Sequence, residues 1–286
     1  MDRINAVRRM QEYIERFYNE VITLADLSKV SLYSPWYSYR IFIKYVKLSP
    51  SDYMRKLRLS KSALKLRDEN VKIIDVAFEY GYASAEGYQR AFYKEFGINP
   101  YDYSKNPIPI YLFTPYKVET KEEKKQMDNI KNVFISVVQK PERKVIIKRG
   151  IKATHYFDYC KEVGCDVWGI LTSIKSISKE PVCLWLPKKY QKSNTSEYVQ
   201  GVEVSVDYNG IIPDGFEVII LPETTYLMFQ GEPFIEEEYE AAIEAIWNAI
   251  EKFNPNGLGY QWDNDRPRIQ LEPIGERGYI ELVAVK

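Results

Sequence analysis

The chain has 286 residues, enough for two domains that each bury a core of their own. Its 40 Lys and Arg residues balance 40 Asp and Glu residues, so the charge of the whole chain indicates no particular partner. The sequence has no charged leader followed by an apolar stretch and no run of about 18 apolar residues, so we expect neither secretion nor a membrane-spanning segment.

The charge is divided unevenly along the chain. Residues 1–106 contain 18 Lys and Arg against 13 Asp and Glu, a net charge of +5, which leaves −5 for the remainder. A basic first third joined to an acidic remainder is typical of a nucleic-acid-binding module tethered to another domain. Chance is the alternative explanation, because charge asymmetry alone is a weak signal.

The first hundred residues begin with a helix-turn-helix pattern. Residues 3–18 are predicted to be helical because apolar side chains recur at spacings of three and four. Thr23 can cap a short second helix, which ends at a break over residues 30–33. Ser34-Pro35 then begins a longer helix that runs to about Tyr45, with serine as N-cap and proline at the first helical position. A short helix, a tight break and a longer helix together indicate a helix-turn-helix unit.

This pattern occurs a second time. Ser49-Pro50 begins a long connecting helix, and Ile73–Tyr80 forms the next short one. Gly81 supplies the positive φ that helix ends favour, and Ser84 opens a longer helix through Phe96. The two units are offset by about 50 residues, and their longer helices share one pattern, which is Arg40-x-Phe42-x-Lys44 in the first and Arg90-x-Phe92-x-Lys94 in the second.

The composition changes after Asn106. Three prolines and the charge run Glu119–Lys125 indicate a solvated linker, which we assign to residues 107–140. Residues 141–286 mix the two periodicities and predict an α+β domain. Its predicted strands are Val145–Lys148, Val182–Leu186, Val199–Asp207, Thr224–Gln230, Ile269–Leu271 and Tyr279–Val285, and its predicted helices are Asp158–Ser176 and Ile235–Phe253. The order strand, helix, strand, strand occurs twice and predicts two half-domains that share a sheet.

Residues 4–103 closely resemble the DNA-binding domain of the bacterial AraC/XylS family. The resemblance is carried by Leu24-Ala25-x-Leu27-Ser28, Ser34-Pro35-x-Tyr37-x-x-Arg40-x-Phe42, Ser49-Pro50-x-x-Tyr53-x-x-x-x-Arg58-Leu59, Ile74-x-x-Val76-Ala77-x-x-x-Gly81-Tyr82 and Arg90-x-Phe92-x-x-x-Phe96-Gly97-x-x-Pro100-x-x-Tyr103. It implies an all-α domain over residues 1–106 with two helix-turn-helix units, a double-stranded DNA operator as partner, and a cytoplasmic transcription regulator. Two departures stand out: Ser38 replaces a core aliphatic residue, and Gly87 lies inside the second recognition helix.

The resemblance also implies which residues meet DNA. Two helices on one chain can enter successive major-groove faces about 34 Å apart. Arg40 and Arg90 match base-contact positions, whereas the lysines match phosphate contacts that position the protein without specifying sequence. The alternative is that these side chains are surface charges that keep the helices soluble. The expected DNA-binding residues are Ser34, Trp36, Tyr37, Arg40, Lys44, Ser84, Ala85, Glu86, Gln89, Arg90 and Lys94.

Residues 141–286 resemble the GyrI-like effector-binding domain. The resemblance is carried by Leu221-Pro222-x-x-x-Tyr226, Gly231, the helix with Trp247, Gly259-Tyr260-x-Trp262 and Gly278-Tyr279-Ile280-Glu281-Leu282. It implies a small, lipophilic or cationic effector held by aromatic faces and a carboxylate. The family's second acidic position is Gln270 here, which leaves a neutral or mixed ligand open. The expected ligand-binding residues are Tyr156, Trp168, Tyr208, Phe229, Trp247, Trp262 and Glu281, with core packing as the alternative for each aromatic.

Other chemistry has little support in the sequence. His155 is the single histidine, and Cys160 and Cys165 are followed by no second pair, so we expect no metal site. The odd number of cysteines fits a reducing cytoplasm, with buried apolar packing as the default role of each thiol. No glycine-rich phosphate loop is present, so we expect no cofactor.

We therefore expect a ligand-responsive regulator rather than an enzyme, with RNA polymerase as a further partner and no membrane contact. Two alternatives stay open at this point. In the first, the C-terminal domain hydrolyses a small electrophile with Glu281 as the acid/base group. In the second, the protein binds DNA constitutively and its C-terminal domain serves only protein contacts.

Overall fold

The computed structural model describes residues 3–115, 132–235 and 238–286. The chain divides into two compact units, Met1–Lys124 and Lys125–Lys286. The first unit is helical and the second is built on an antiparallel sheet, which confirms the predicted combination of a helical region with a sheet-containing region. The charge run Glu119–Lys125 lies outside the described residues.

The helices of the N-terminal unit start where the sequence places its caps. Their bounds are α1 Arg3–Phe17, α2 Leu24–Ser31, α3 Pro35–Val46, α4 Pro50–Asp68, α5 Ile73–Glu79, α6 Ala85–Phe96 and α7 Pro100–Lys105. The Thr23 side chain accepts from the backbone N–H of Asp26, whose carboxylate accepts from Thr23 in return. Ser84 caps α6 in a similar way, through the backbone N–H of Gly87. These side chains satisfy amide groups that the first turn of each helix leaves unpaired.

Helix α4 is shared between two hydrophobic cores. Its 19 residues span about 28 Å at the usual rise of an α-helix. Tyr53 and Leu57, from its first half, pack with α1, α2 and α3. Leu59 and Leu66, from its second half, pack with α5, α6 and α7. Each helix-turn-helix unit therefore has its own core, and one continuous helix joins the two.

The segment after α7 belongs to the N-terminal unit rather than to a linker. Ile110 and Leu112 are buried in the core around the second half of α4. The backbone N–H of Phe113 donates to the Ser60 hydroxyl over 2.7 Å, and the Phe113 ring packs edge-on against Tyr53 at 5.0 Å. The linker assigned to residues 107–140 is therefore too long at its start, because these apolar side chains find a core to bury in.

The linker assignment is also too long at its end. Residues Val133–Lys140 form a strand, β1, that pairs along its full length with a strand at Thr224–Gly231. A second unpredicted strand, β5, lies at Glu217–Leu221. Both stand at the edges of the sheet, and both are runs of mostly apolar residues without the alternation that marks a half-buried strand.

The remaining elements of the C-terminal unit follow the predicted order. Their bounds are β2 Arg143–Arg149, α8 Tyr156–Val163, α9 Val167–Ser173, β3 Val182–Trp185, β4 Tyr198–Val204, β6 Thr224–Gly231, α10 Tyr239–Lys252, β7 Arg268–Gln270 and β8 Ile280–Val285. The single helix predicted over Asp158–Ser176 is two helices, because α8 ends at Gly164 with φ +99°. The strand order is β1-β6-β8-β7-β3-β4-β2-β5, with neighbours antiparallel.

The sheet curls so that β2 and β6, which are far apart in the strand order, come together. The Arg143 guanidinium on β2 donates to the Tyr226 hydroxyl on β6 over 3.3 Å. The same arginine pairs with Glu203 at 2.5 Å, and both side chains are fully buried. Burial alone would raise the pKa of Glu203, but Lys140 and Arg143 hold it below its ordinary value. This ion cluster adjoins the inner apolar core, whereas the helices cover the other face.

We predict that Leu32→Gly stabilises the N-terminal unit by about 0.5–1 kcal/mol. Leu32 follows α2 with φ +63°, a left-handed conformation that strains residues carrying a Cβ by about 1–2 kcal/mol. Glycine removes this strain, but its greater freedom in the unfolded chain costs about 0.5–1 kcal/mol of stability, so only part of the strain energy is gained. Its side chain is 64% exposed, so little burial is lost. Urea unfolding followed by helical circular dichroism measures the change. Leu32→Ala is the control: it retains the strain, and equal stabilisation by both variants would contradict the prediction.

Candidate DNA-binding and effector sites

In the first helix-turn-helix unit, two serines join α2 to α3. The Ser31 and Ser38 hydroxyls are fully buried and lie 2.6 Å apart. Ser38 also lies 2.9 Å from the backbone carbonyl of Ser34, which precedes α3. Ser38 therefore replaces the expected aliphatic residue without leaving a buried hydroxyl unpaired, since a hydrogen bond between the two helices takes the place of apolar contact.

Helix α3 presents one stripe of side chains to solvent. Trp36, Arg40 and Lys44 follow at intervals of four residues, and all three are exposed, Trp36 to 73%. The Arg40 guanidinium lies over the half-buried Tyr37 ring, 5.5 Å from its centroid. Helix α3 contains no acidic residue. Within the described part of the chain neither Arg40 nor Lys44 forms an ion pair, so both charges are exposed and available to a binding partner.

The second unit buries an aromatic residue at the position that corresponds to Ser38. Tyr88 is fully buried in α6, and its hydroxyl donates to Ser62 of α4 over 2.9 Å. Gly87 is the third residue of α6, where its N–H meets the Ser84 cap. Gly87 therefore lies within α6 as expected, but in its first turn rather than at its middle, where the backbone amides have no partner within the helix.

Helix α6 presents a stripe that matches that of α3. Glu86, Arg90 and Lys94 are exposed and stand 50 positions after Trp36, Arg40 and Lys44. Glu86 and Arg90 border an open groove that also includes Gln89, Tyr93 and Asn99. Ser84 and Ala85 are half-buried at the start of the helix, whereas Ser34 is exposed at the start of α3. The predicted DNA-binding residues therefore fall on the outward faces or the first turns of the two helices, and Phe42 and Phe92 are buried as predicted.

An ion cluster holds α6 against α4. Glu95 of α6 pairs with Arg55 at 3.0 Å and with Lys56, both from α4. The Glu95 side chain is only 15% exposed, so this cluster is partly shielded from solvent. It fixes α6 on α4 and pairs one of the two carboxylates of α6. The exposed face of α6 then carries one negative charge, on Glu86, and two positive charges, on Arg90 and Lys94.

In the C-terminal unit the most elaborate polar contacts surround Glu281 on β8. Its side chain is fully buried. One carboxylate oxygen accepts from the Trp247 indole N–H over 2.7 Å and from the Tyr279 hydroxyl, and the other pairs with Arg268. Burial raises the pKa of Glu281 above its ordinary value, against the opposing effect of Arg268 and the two hydrogen bonds. The buried charge is thus compensated from within the chain.

The predicted ligand-binding residues do not form one group. Trp247 and Glu281 are in direct contact, and Phe229 lies opposite Glu281 in the strand register. Phe229 is fully buried, however, and packs with the half-buried Trp262 in the core beneath α10. The others lie in separate places: Trp168 is buried beside Tyr198 and Cys183, Tyr208 packs in the core under α9, and Tyr156 is 36% exposed at the start of α8.

Three residues at this site were missed in the sequence. Arg268 and Trp185 are direct partners in the register between β7 and β3, and Tyr279 binds the carboxylate. Gln270, which stands at the family's second acidic position, accepts from the Tyr198 hydroxyl over 3.1 Å. The alternation of β7 was the signal in the sequence that could have indicated Arg268, because residues two positions apart in a strand share a face and Arg268 therefore lies on the face of Gln270. Pairing with β3 was not visible in the sequence.

The three cysteines differ in exposure. Cys183 is buried on β3, Cys160 is half-buried, and Cys165 is exposed, so the expectation of buried apolar packing is wrong for Cys165. Within the described residues no group of three His, Cys, Asp or Glu side chains is placed to hold a metal ion. In the same part of the chain, no helix combines the length and the apolar character needed to cross a membrane.

Comparison with known proteins identifies the class of the N-terminal unit. A family described as a helix-turn-helix domain matches residues 27–106. Regulatory protein SoxS of Salmonella typhimurium is 31% identical over 97 residues, which are 34% of this chain and 91% of SoxS. The probable transcription factor PqrA of Proteus vulgaris is 33% identical over 88 residues, or 31% of this chain and 72% of PqrA. The chain belongs to the AraC family of helix-turn-helix DNA-binding transcriptional regulators.

Among solved structures, an AraC-type transcriptional regulator from Chromobacterium violaceum is similar, with a TM-score of 0.34 and 20% identity. The similarity covers 36% of this chain and 94% of that one. The relatives named here match about a third of the chain. They therefore identify the helix-turn-helix unit only, and the role of the sheet-containing unit has to be inferred from its own residues.

We predict that one thiol per chain reacts quickly with Ellman's reagent in the folded protein. Burial raises the pKa of both Cys160 and Cys183 to about 12, so both remain protonated at neutral pH, whereas Cys165 is exposed. Cys165→Ser removes the fast phase, and unfolding in urea releases the remaining thiols. Two thiols that react at one rate in the native protein would contradict this assignment.

Proposed function

We propose that this regulator recognises its operator with α3 and α6 in successive major grooves and that its C-terminal unit binds a small effector. One observation carries the first part. The exposed stripes of α3 and α6 occupy equivalent positions in the two repeats, while the intervening residues Phe42 and Phe92 are buried. A helix whose outer face carries long polar side chains is the shape that a major groove admits.

The roles of the side chains follow from their chemistry. Arg40 and Arg90 carry planar guanidinium groups that pair in a bidentate manner with guanine. Lys44 and Lys94 stand one turn later and suit phosphates, because an ammonium is a point charge without that planar fork. Exposed Trp36 suits apolar contact with a thymine methyl group or a sugar. The N-terminal residues Ser34, Ser84 and Ala85 place backbone amides near phosphate.

The two helices contribute unequally in this proposal. Helix α3 bears two outward cations and no carboxylate, whereas α6 bears exposed Glu86 beside Arg90 and Lys94. Glu86 can accept from a cytosine amino group but repels phosphate. The first unit therefore supplies most of the electrostatic attraction, and the second refines selectivity. One chain reads an asymmetric site when helix α4 holds the two units about 34 Å apart on the DNA.

For the C-terminal unit we propose a GyrI-like, duplicated strand-helix-strand-strand domain that binds a lipophilic or cationic effector. The strand order supports the duplication: β6, β8 and β7 in one half correspond to β2, β4 and β3 in the other, with β1 and β5 at the two edges. The effector site is supported by Trp247, which is 45% exposed while its indole binds the buried Glu281. An exposed aromatic face beside a buried carboxylate suits an apolar cation.

The two alternatives fare differently. A hydrolase with Glu281 as the acid/base group has little support, since both carboxylate oxygens are already engaged by Trp247, Tyr279 and Arg268.

Protein contact is the second candidate function, favoured by the edge strand β1, where Phe134 is 60% and Val137 is 48% exposed. Such a surface suits a protein partner, and RNA polymerase is the partner expected for a regulator that activates transcription.

We predict that Arg40→Ala reduces the preference of the protein for its operator over a base-substituted site by about 5- to 160-fold, from the 1–3 kcal/mol of a bidentate contact. Lys44→Ala is the matched control, since it should weaken binding to both sites equally and lower the salt slope by about one. Electrophoretic shift or fluorescence anisotropy at several salt concentrations separates the effects. Unchanged operator preference in Arg40→Ala would remove this residue from base recognition.

We predict that a hydrophobic cation quenches the tryptophan fluorescence of the full-length protein and that Glu281→Gln weakens its binding by about tenfold or more. The substitution removes the negative charge that attracts the cation and leaves the aromatic groups in place, and a loss of about 1.4 kcal/mol corresponds to tenfold in affinity. Glu251→Gln, an exposed carboxylate on the same helix as Trp247, is the control and should bind normally. If a broad panel of cations leaves both fluorescence and unfolding temperature unchanged, the cationic effector is excluded.

A further inference from the structure

Arg268 occupies an aromatic cage in the C-terminal unit. Its guanidinium carbon lies 5.1 Å from the centroid of the Trp185 ring and 5.9 Å from the centroid of the Trp247 ring. The carboxylate of Glu281 completes the surroundings and pairs with the guanidinium. Two tryptophan faces and a carboxylate are the groups with which proteins bind planar organic cations.

The cage is assembled from distant parts of the chain, and a hydrogen bond orients each of its two rings. Trp185 lies directly opposite Arg268 in the strand register, and its indole N–H donates to the Thr154 carbonyl over 2.8 Å. Trp247 comes from α10 and is fixed by its bond to Glu281. These contacts hold both rings independently of Arg268. The cage walls therefore keep their positions when the arginine side chain moves.

The cation within the cage is less confined than the carboxylate with which it pairs. The Glu281 side chain is fully buried, whereas that of Arg268 is 31% exposed. Among the described residues Arg268 is the only Lys or Arg that pairs with Glu281. A buried carboxylate without a cation is strongly unfavourable, so Arg268 can leave only if another cation or a proton takes its place.

We propose that Arg268 is a resident cation of this cage and that the cage accepts, in exchange, an external planar cation of the guanidinium or amidinium class. The exchange keeps the charge of the cage at zero and preserves a stacked group between the tryptophans. Arg268 then swings to solvent from β7, a strand of only three residues. The link between this exchange and effector sensing rests on the proposed function, whereas the binding of a planar cation in the cage does not depend on it.

The test removes the resident cation and supplies it from solution. In full-length Arg268→Met, the apolar side chain leaves Glu281 uncompensated, and the unfolding temperature of the C-terminal unit should fall by roughly 10 °C. Methylguanidinium chloride at tens of millimolar should restore several degrees, whereas sodium chloride at equal ionic strength should not. The wild-type protein should show no such gain. Arg268→Met combined with Glu281→Gln should be more stable than Arg268→Met and should not respond to methylguanidinium.

Benzamidinium provides a second readout, through tryptophan fluorescence. It should bind Arg268→Met at least tenfold more tightly than wild type, because no arginine has to be expelled, and Trp247→Leu in the same background should abolish the quenching. Equal affinity for wild type and Arg268→Met, or absence of rescue by methylguanidinium, overturns the cage. Rescue together with cations that leave operator binding unaffected would uphold the cage and reject the effector proposal instead.

Discussion

The N-terminal unit depends on the continuous burial of α4. The helix gives Tyr53 and Leu57 to one core and Leu59 and Leu66 to the next, so neither helix-turn-helix unit can move against α4 without opening its own core. Hydrogen bonds and ion pairs fix the orientation of α6 on α4 in addition to this packing. Tyr88 reaches Ser62, and Glu95 reaches Arg55, both across to α4. In the proposed DNA complex, a helix fixed in this way has already lost its ordering entropy before it binds, which favours affinity and selectivity.

Two buried carboxylates show how the sheet of the C-terminal unit separates a structural charge from an exchangeable one. Glu203 on β4 and Glu281 on β8 occupy corresponding strands in the order of the sheet. Glu203 pairs with Arg143, which is completely buried, so solvent has no access to that cation. Glu281 pairs with Arg268, which is partly exposed between two tryptophans. The same electrostatic requirement is therefore met by a closed ion pair in one half and by an accessible one in the other.

The sequence predicted local features well because their causes are local. The Thr23 and Ser84 caps, the helix starts at Pro35 and Pro50, and the repeat itself depend on residues a few positions apart. The edge strands β1 and β5 were missed because their apolar runs lack alternation. Arg268 and Trp185 were missed for a different reason: their partners lie on other strands, and only the register of β3 against β7 brings them together. Glu281 was predicted from the sequence as the ligand-binding carboxylate, but its compensation by Arg268 depends on the pairing of β7 with β8.

An effector that merely replaces Arg268 would change little else in the protein. A ligand shifts a conformational equilibrium only by the difference in its affinity for the two states. Exchange of one guanidinium for another inside the cage is close to balanced, so the cage supplies selectivity for a planar cation rather than the driving force for a switch. That driving force has to come from the remainder of the ligand, through apolar contact with the exposed face of Trp247, or from new partners of the released Arg268 side chain. Under the proposed exchange, the effector therefore combines a flat cationic group with a substantial apolar body.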